Sequence, residues 1–347
     1  MEGHDLLIVA IENPLLDVSV QLQSDDLLNK YGLQHGLACL AEEKHLPLYD
    51  EIWKMDGVVK VPGGSSLNSV RSANFMLKDT LPGKCAFFGS IGNDEVGAVL
   101  EKELTDTGVH GYFHKDEQTP TGSCAVLVHH KERTLCANLA ACLKYPTAHL
   151  EANMSVLDKA AFLYTSCFFI TSNYEAMQNY AKFAADHNKP LGLNLSATFL
   201  LQFHTEQVNK MIEYADYVFC NEDEAKVFAE VNKVEYTSFA DVATAIVKMS
   251  KVNQTRTRIS IITQGKEPVI VATQRGEEVI IEEFPVPVLE KELVVDTNGA
   301  GDSFVGGFLS QIVQGKDLHS AIRAGIWLSG QVIQRDGCTF PETNTFA

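Results

Sequence analysis

A three-layer α/β/α sandwich with a mostly parallel central sheet and a small α/β lid is the fold predicted for this chain of 347 residues. Three patterns predict it. Residues 6–11, LLIVAI, form a continuous apolar run, as expected of a strand buried on both faces. From residue 162 onward, strand-length apolar runs alternate with helical ones, the order that builds a parallel sheet covered by crossover helices. Residues 18–64 and 118–139 break this rhythm with half-exposed, alternating strands. The predicted division is therefore a large domain of residues 1–17, 65–117 and 140–347, and a small lid of residues 18–64 and 118–139.

Taken in order, the first strand at 6–11 is followed by an alternating strand at 18–22, helices at 27–31 and 45–54, and a short strand at 58–61. Pro62-Gly63-Gly64 then leads into a helix at 66–77. A strand at 86–92 precedes an amphipathic helix at 96–107 that Gly108 ends. Runs at 125–128 and 134–138 form a hairpin around the polar turn 130–133. Strands follow at 162–165, 191–195, 217–221 and 258–263, separated by helices at 174–187, 205–214, 222–230 and 239–249. An antiparallel pair at 269–272 and 278–282 surrounds Gly276, and two helices at 303–314 and 318–334 complete the pattern.

Composition narrows the function classes. With 45 acidic against 28 basic residues, the formal charge of −17 argues against a broad nucleic-acid surface. No apolar run is long enough to span a bilayer, so no membrane partner is expected. The start lacks a basic patch, and residues 6–11 are too short for the core of a signal peptide. The eight cysteines include no CxxC pair and lie mostly in apolar surroundings, which predicts reduced thiols and a cytoplasmic location.

The chemistry concentrates near residue 300. An apolar strand ends in Asp296-Thr297-Asn298-Gly299-Ala300-Gly301-Asp302, and a helical pattern follows. Gly299 and Gly301 allow a tight turn that brings bare N–H groups near a ligand, and the helix start adds its own unpaired N–H groups. Asp302 shares that point. An anion cradle beside a carboxylate suits transfer of a phosphoryl group to a hydroxyl, with the carboxylate taking the proton. The competing reading is an Asp capping a glycine-rich turn.

Several further blocks carry a resemblance. They are residues 13–17 (NPLLD), 62–69 (PGGSSLNS), 121–125 (TGSCA), 133–141 (RTLCANLAA), 193–197 (LNLSA), 221–225 (NEDEA), 296–308 and 335–341 (RDGCTFP). In this order, over nearly the whole length, the chain resembles the ribokinase-like family of carbohydrate and nucleoside kinases, nearest its adenosine-phosphorylating members. The resemblance implies ATP-dependent phosphorylation of the adenosine 5′-hydroxyl, giving AMP and ADP for purine salvage, with Mg2+ as cofactor and a monomeric protein. The alternatives are a kinase of another nucleoside or a sugar, or a non-catalytic nucleoside-binding protein.

The resemblance also distributes roles. Asp302 is the base, with the backbone of Gly299, Ala300 and Gly301 gathering charge, and Arg133 on the lid hairpin is a cation for the transferring phosphoryl group. Against this, Arg133 also reads as a solvated turn residue. Asp17 anchors the ribose hydroxyls, with Asn13, Leu15, Gly63, Gly64, Ser65 and Asn68 in the same nucleoside site. Gly63-Gly64 also reads as a plain turn before a helix. Leu40, Cys124, Leu135, Phe169 and Phe199 surround the base, although each alone also reads as core. Asn194, Asn221, Glu224, Thr263, Gly265 and Asn298 belong to the nucleotide side. Asn221 and Glu224 act on the metal through water, without a direct ligand being assigned, and their spacing equally suits a capping box. Ala38, Ser166-Cys167 and Ile326 depart from the family pattern. Ala38 puts one nucleoside contact in doubt, Ser166-Cys167 tightens the pocket floor, and Ile326 loses a polar option near the donor base.

Overall fold

The structure, a computed structural model, describes residues 5–36, 38–129 and 132–346. Its strands, in chain order, are β1 Leu6–Ile11, β2 Leu15–Gln21, β3 Ala38–Leu40, β4 Val59–Gly63, β5 Cys85–Gly92, β6 Val109–Asp116, β7 Ser123–His129, β8 Glu132–Asn138, β9 Ala160–Ser166, β10 Leu191–Asn194, β11 Tyr217–Asn221, β12 Ile259–Gln264, β13 Glu267–Arg275 and β14 Glu278–Phe284. Nine of them form one sheet in the order β14-β13-β12-β11-β10-β9-β1-β5-β6. It is parallel from β6 through β12 and antiparallel over β12-β13-β14.

Both faces of this sheet are covered, which explains the unbroken apolar run of β1. Val9 and Ile11 enter one core with Tyr180 and Met177 of the helix Ile170–Asp186. Ile8 and Ala10 enter the opposite core with Leu67 and Val70 of the helix Ser65–Leu77 and with Phe304 and Phe308 of the helix Ala300–Ile312. The predicted three-layer α/β/α architecture is what forms.

A second sheet has the order β3-β8-β7-β2-β4. One face packs on the helices Asp26–Tyr31 and Leu46–Trp53 through Leu16, Val18, Leu28, Leu48 and Ile52. The other presents Leu15, Cys124 and Val126, with Leu135 and Ala137 beside them.

Some local expectations change. The strand expected at 18–22 starts earlier, at Leu15, so Asp17 sits within the second sheet. β6 was not foreseen, because an edge strand needs only partial burial and its sequence VHGYFHKD mixes polarity. The helix expected at 174–187 starts at Ile170 and bends at Asn173 (φ −154°, ψ 90°), whose side chain accepts the Ala176 N–H. In the expected turn at 130–133, His130 and Lys131 lie outside the described residues. Arg133 is already in β8, opposite Val128.

Candidate active site

In the large sheet, β9 through β12 extend to one side of β1 and β5-β6 to the other. The strand order reverses at β1, and ligands of open α/β sheets bind beyond the strand ends at such a point. A cavity of about 620 Å³ lies there. Asn13, Asn194, Asn221 and Thr263 line it from the large sheet, and Leu15, Asp17, Leu40, Cys124 and Leu135 from the second.

The GAGD segment forms one wall. The helix Ala300–Ile312 starts after Gly299, which is left-handed (φ 74°) and offers no side-chain cap. Its first N–H groups are therefore left without a capping side chain and lie beside the cavity. A β-carbon on Gly299 would come within 2.8 Å of the Cys338 β-carbon, so glycine is needed there for both conformation and space. A β-carbon on Gly301 would meet nothing within 4 Å, since this residue borders the open cavity.

Asp302 is in the first turn of the helix and does not cap it. Its carboxylate accepts hydrogen bonds from Ser65 Oγ at 2.7 Å and Asn68 Nδ2 at 3.1 Å. Close packing of two helices makes this possible. Gly306 abuts Ser72 and the Ser69 carbonyl so tightly that any side chain there would overlap them. Burial raises the Asp302 pKa, and the bonds from Ser65 and Asn68 restrain the rise. The carboxylate is thus oriented, partly desolvated and open to the cavity, the state expected of a proton acceptor.

On the nucleoside side, Asn13 donates from Nδ2 to the Phe168 carbonyl at 3.2 Å, while its buried Oδ1 has no hydrogen-bond partner. A buried carbonyl oxygen left in that state beside a cavity suits a ligand hydroxyl. Asp17 has its pKa pushed up to about 7, chiefly by burial and next by the Asp302 charge, with Arg71 and Arg133 opposing. Gly64 (φ 101°) lines the cavity, where a side chain would strike the Asn13 carbonyl. Gly63 does not line it. Glycine is required there because any β-carbon would overlap the Asp17 carboxylate, which corrects its expected role as a ribose contact.

Leu40, Cys124, Leu135 and Phe199 border the cavity as expected, and Ala38 does too. Phe169 does not. It is fully buried in the main core with its ring edge-on to Tyr145, and its neighbour Phe168 faces the cavity instead. Residues 167–169 form one 3-10 turn, in which successive side chains point about 120° apart, so only one phenylalanine can face the ligand. Ser166, Cys167 and Ile326 are buried and do not line the cavity.

Asn194, Asn221, Glu224, Thr263 and Asn298 line the other half. Asn221 and Glu224 form the capping box of the helix Glu222–Val231. Asn221 Oδ1 accepts the Glu224 N–H at 2.8 Å, and Asn221 Nδ2 donates to Glu224 Oε1 at 2.9 Å. Capping and cavity lining coexist in these two residues. Burial pushes the Glu224 pKa up to about 7. Gly265 lies outside the cavity at the tight β12-β13 turn, where its φ of 58° accounts for the glycine.

Arg133 is not a cavity residue either. Its Nε pairs with Asp296, whose side chain is completely buried, and its Nη2 lies 3.9 Å from Asp336. Asp296 also accepts the N–H of Asn298 at 2.8 Å and of Gly337 at 2.6 Å. The arginine thus ties β8 of the second sheet to the carboxylate that shapes the Asn298–Gly301 loop.

A family model described as pfkB family carbohydrate kinase matches residues 37–345. The chain belongs to this family. Adenosine kinase 1 of Arabidopsis thaliana is 42% identical, over 99% of this chain and 98% of that protein. Adenosine kinase of Dictyostelium discoideum is 35% identical over 97% of each. Among solved structures, Anopheles gambiae adenosine kinase in complex with P1,P4-di(adenosine-5) tetraphosphate matches with a TM-score of 0.91 and 41% identity, covering 98% of this chain and 99% of that one. Schistosoma mansoni adenosine kinase in complex with adenosine matches with a TM-score of 0.91 and 32% identity, covering 99% of each chain.

In this pfkB-family chain, sequence reasoning passed over three residues that build the site. Asp296 was read only as the start of a motif. Phe168 was displaced by its neighbour. Glu12 lines the cavity floor and accepts the Ser66 N–H at 2.5 Å, at the start of the helix that carries Ser65 and Asn68. Burial pushes its pKa up to about 8, with the Asp302 charge adding to the rise. One signal for Glu12 existed: a lone carboxylate directly after a wholly apolar strand.

Proposed function

We infer that this chain is an ATP-dependent adenosine kinase, which transfers the γ-phosphoryl group of ATP to the adenosine 5′-hydroxyl and releases AMP and ADP. The observation that carries this reading is the placement of Asp302. It is held by Ser65 and Asn68 at an uncapped helix N-terminus, in the same cavity as the unpartnered Asn13 Oδ1 and the Asp17 carboxylate.

In the proposed geometry, Asp17 and Asn13 accept the ribose hydroxyls, and Leu40, Leu135, Phe168 and Phe199 hold the purine between apolar walls. The 5′-hydroxyl then faces Asp302. As the hydroxyl oxygen bonds to the γ-phosphorus, its proton passes to Asp302 and the bond to the ADP oxygen breaks. The N–H groups from Gly299 to Asp302 receive the charge spreading over the phosphoryl oxygens. Arg133 acts from behind the loop by bracing Asp296.

The cavity's own charge argues for a metal. Asp302, Glu224 and Asp17 stand around a site proposed to take a triphosphate, and their repulsion needs a compensating cation. Mg2+ fits oxygen donors and retains its water, so Glu224 and Asn221 would hold it through water. When bound, it would offset phosphate charge. The second sheet, with residues 18–64 and 118–139, is proposed as a lid whose apolar face excludes water. All the proposed groups come from one chain, so a monomer suffices. Among the described residues no helix is long and apolar enough to cross a membrane. All eight cysteines are free, which supports a reducing, cytoplasmic location.

The test is a substrate panel with ATP and Mg2+, followed by phosphorylated product. Adenosine should exceed guanosine, cytidine and ribose in kcat/KM. A preference for ribose or a hexose would overturn the nucleoside assignment.

A further inference from the structure

Outside this cavity, at the end of β7, three metal-ligating side chains from separate segments meet. They are Asp25 just before the helix Asp26–Tyr31, His35 in the loop leading to β3, and His129, the last residue of β7. His35 Nε2 lies 2.5 Å and His129 Nδ1 2.6 Å from the same oxygen, Asp25 Oδ1. The two imidazole rings stack with centroids 5.4 Å apart. All three ligand atoms lie within 4.8 Å of one another.

We propose that Asp25, His35 and His129 form a binding site for a borderline divalent transition cation, of which zinc is the best match. Two imidazole nitrogens and one carboxylate oxygen suit zinc, whereas Mg2+ seeks oxygen donors and water. Tetrahedral zinc with bonds of about 2.0–2.1 Å holds its ligand atoms roughly 3.3 Å apart. Asp25 Oδ1 therefore has to withdraw by less than about 1 Å from each nitrogen to admit the ion. It is free to do so, since the Asp25 carboxylate makes no capping bond to its helix and its side chain is 48% exposed. His129, with 9% of its side chain exposed, supplies the rigid arm, and Asp25 and His35, 48% and 37% exposed, face solvent that can supply a water as fourth ligand.

The site's position gives it a consequence. The loop holding His35 continues through Gly36, whose N–H donates to Thr134 Oγ1 of β8 at 3.2 Å, into β3. Gly36, Ala38 and Leu40 then line the cavity. An ion on His35 and His129 would staple this wall to the end of β7 and stiffen the second sheet.

The test uses the full chain, stripped of metal with a chelator and titrated with Zn2+ in the absence of nucleotide and Mg2+. Calorimetry should show one zinc per chain, and saturating zinc should raise Tm by several degrees. His35→Gln and Asp25→Asn should each weaken zinc binding at least about tenfold and abolish the Tm rise. Both variants should keep metal-free stability and AMP formation in Mg2+ near wild type. Millimolar Mg2+ should not displace the zinc. A wild-type protein with no zinc-dependent Tm rise would make the cluster an ion-paired triad only. Equal zinc affinity in both variants would place the ion elsewhere, on the thiols, for example. Either result overturns the proposal.

Discussion

A β-carbon on Gly63 would occupy the space of the Asp17 carboxylate. The two residues lie on adjacent antiparallel strands, where Leu15 of β2 pairs with Gly63 of β4 and Asp17 with Val61. Gly63 acts on the cavity without bordering it, by leaving the carboxylate its seat. Gly63→Ala should therefore displace Asp17 and weaken adenosine binding by up to roughly 1.5–3 kcal/mol, the worth of the hydrogen bonds to a charged acceptor that the displacement forfeits. Thermal stability should fall less than nucleoside affinity. Calorimetric titration of adenosine into the folded variant checks this, and unchanged affinity would mean that Asp17 can shift without loss.

Asp302→Asn preserves size and an acceptor for Ser65, yet removes the proton acceptor. Turnover should drop roughly 10²–10⁴-fold, the range for a positioned acid–base group. Adenosine affinity should stay close to wild type. Steady-state kinetics with separate binding measurements decide this; near-normal turnover would reduce Asp302 to a structural link between two helices.

Asp17→Ala removes a charged acceptor. Adenosine binding should weaken by roughly 1.5–3 kcal/mol, the worth of hydrogen bonds to a charged group. The variant should also discriminate less against 2′-deoxyadenosine, because that analogue no longer forfeits a bond. Comparing both nucleosides on wild type and variant isolates the 2′-hydroxyl contribution.

Glu12 makes stability depend on pH in a stated direction. Its pKa in the folded protein is raised from 4.5 to about 8, so the folded state keeps a proton that the unfolded chain loses. The resulting contribution is fully present below the unfolded value and is lost as pH rises through the folded one. Glu12→Gln removes this titration and keeps an acceptor for the Ser66 N–H. The variant should gain on the order of 4 kcal/mol relative to wild type between about pH 5 and about pH 9, by urea unfolding. An identical stability difference at both pH values would show that Glu12 does not titrate in this window.

Much of the fold was legible in the residues because burial writes a period into them. β1, β5 and β9 are buried along their whole length and are mostly apolar because helices cover both their faces, and the amphipathic helices between β9 and β12 repeat at helical spacing. β3 and β6 were illegible for the opposite reason: short or edge strands bury too little side chain to show a pattern. Within the site, the GAGD turn announced itself, since two glycines stand directly before an acid and the start of a helical pattern.

The sequence by itself therefore determined the layered α/β architecture, the anion-binding turn and the identity of Asp302, Asp17 and Asn13 as chemically equipped residues. Only the tertiary structure decided that Phe168 and not Phe169 faces the cavity, that Gly63 serves Asp17, and that Arg133 reaches Asp296. Each of these depends on where elements distant in the chain come to rest. Arg133 and Asp296 are far apart in sequence and meet only because β8 of the second sheet comes to rest beside the loop that precedes the helix Ala300–Ile312. Local periodicity reports which face of an element is buried, but it carries no information about which partner covers that face.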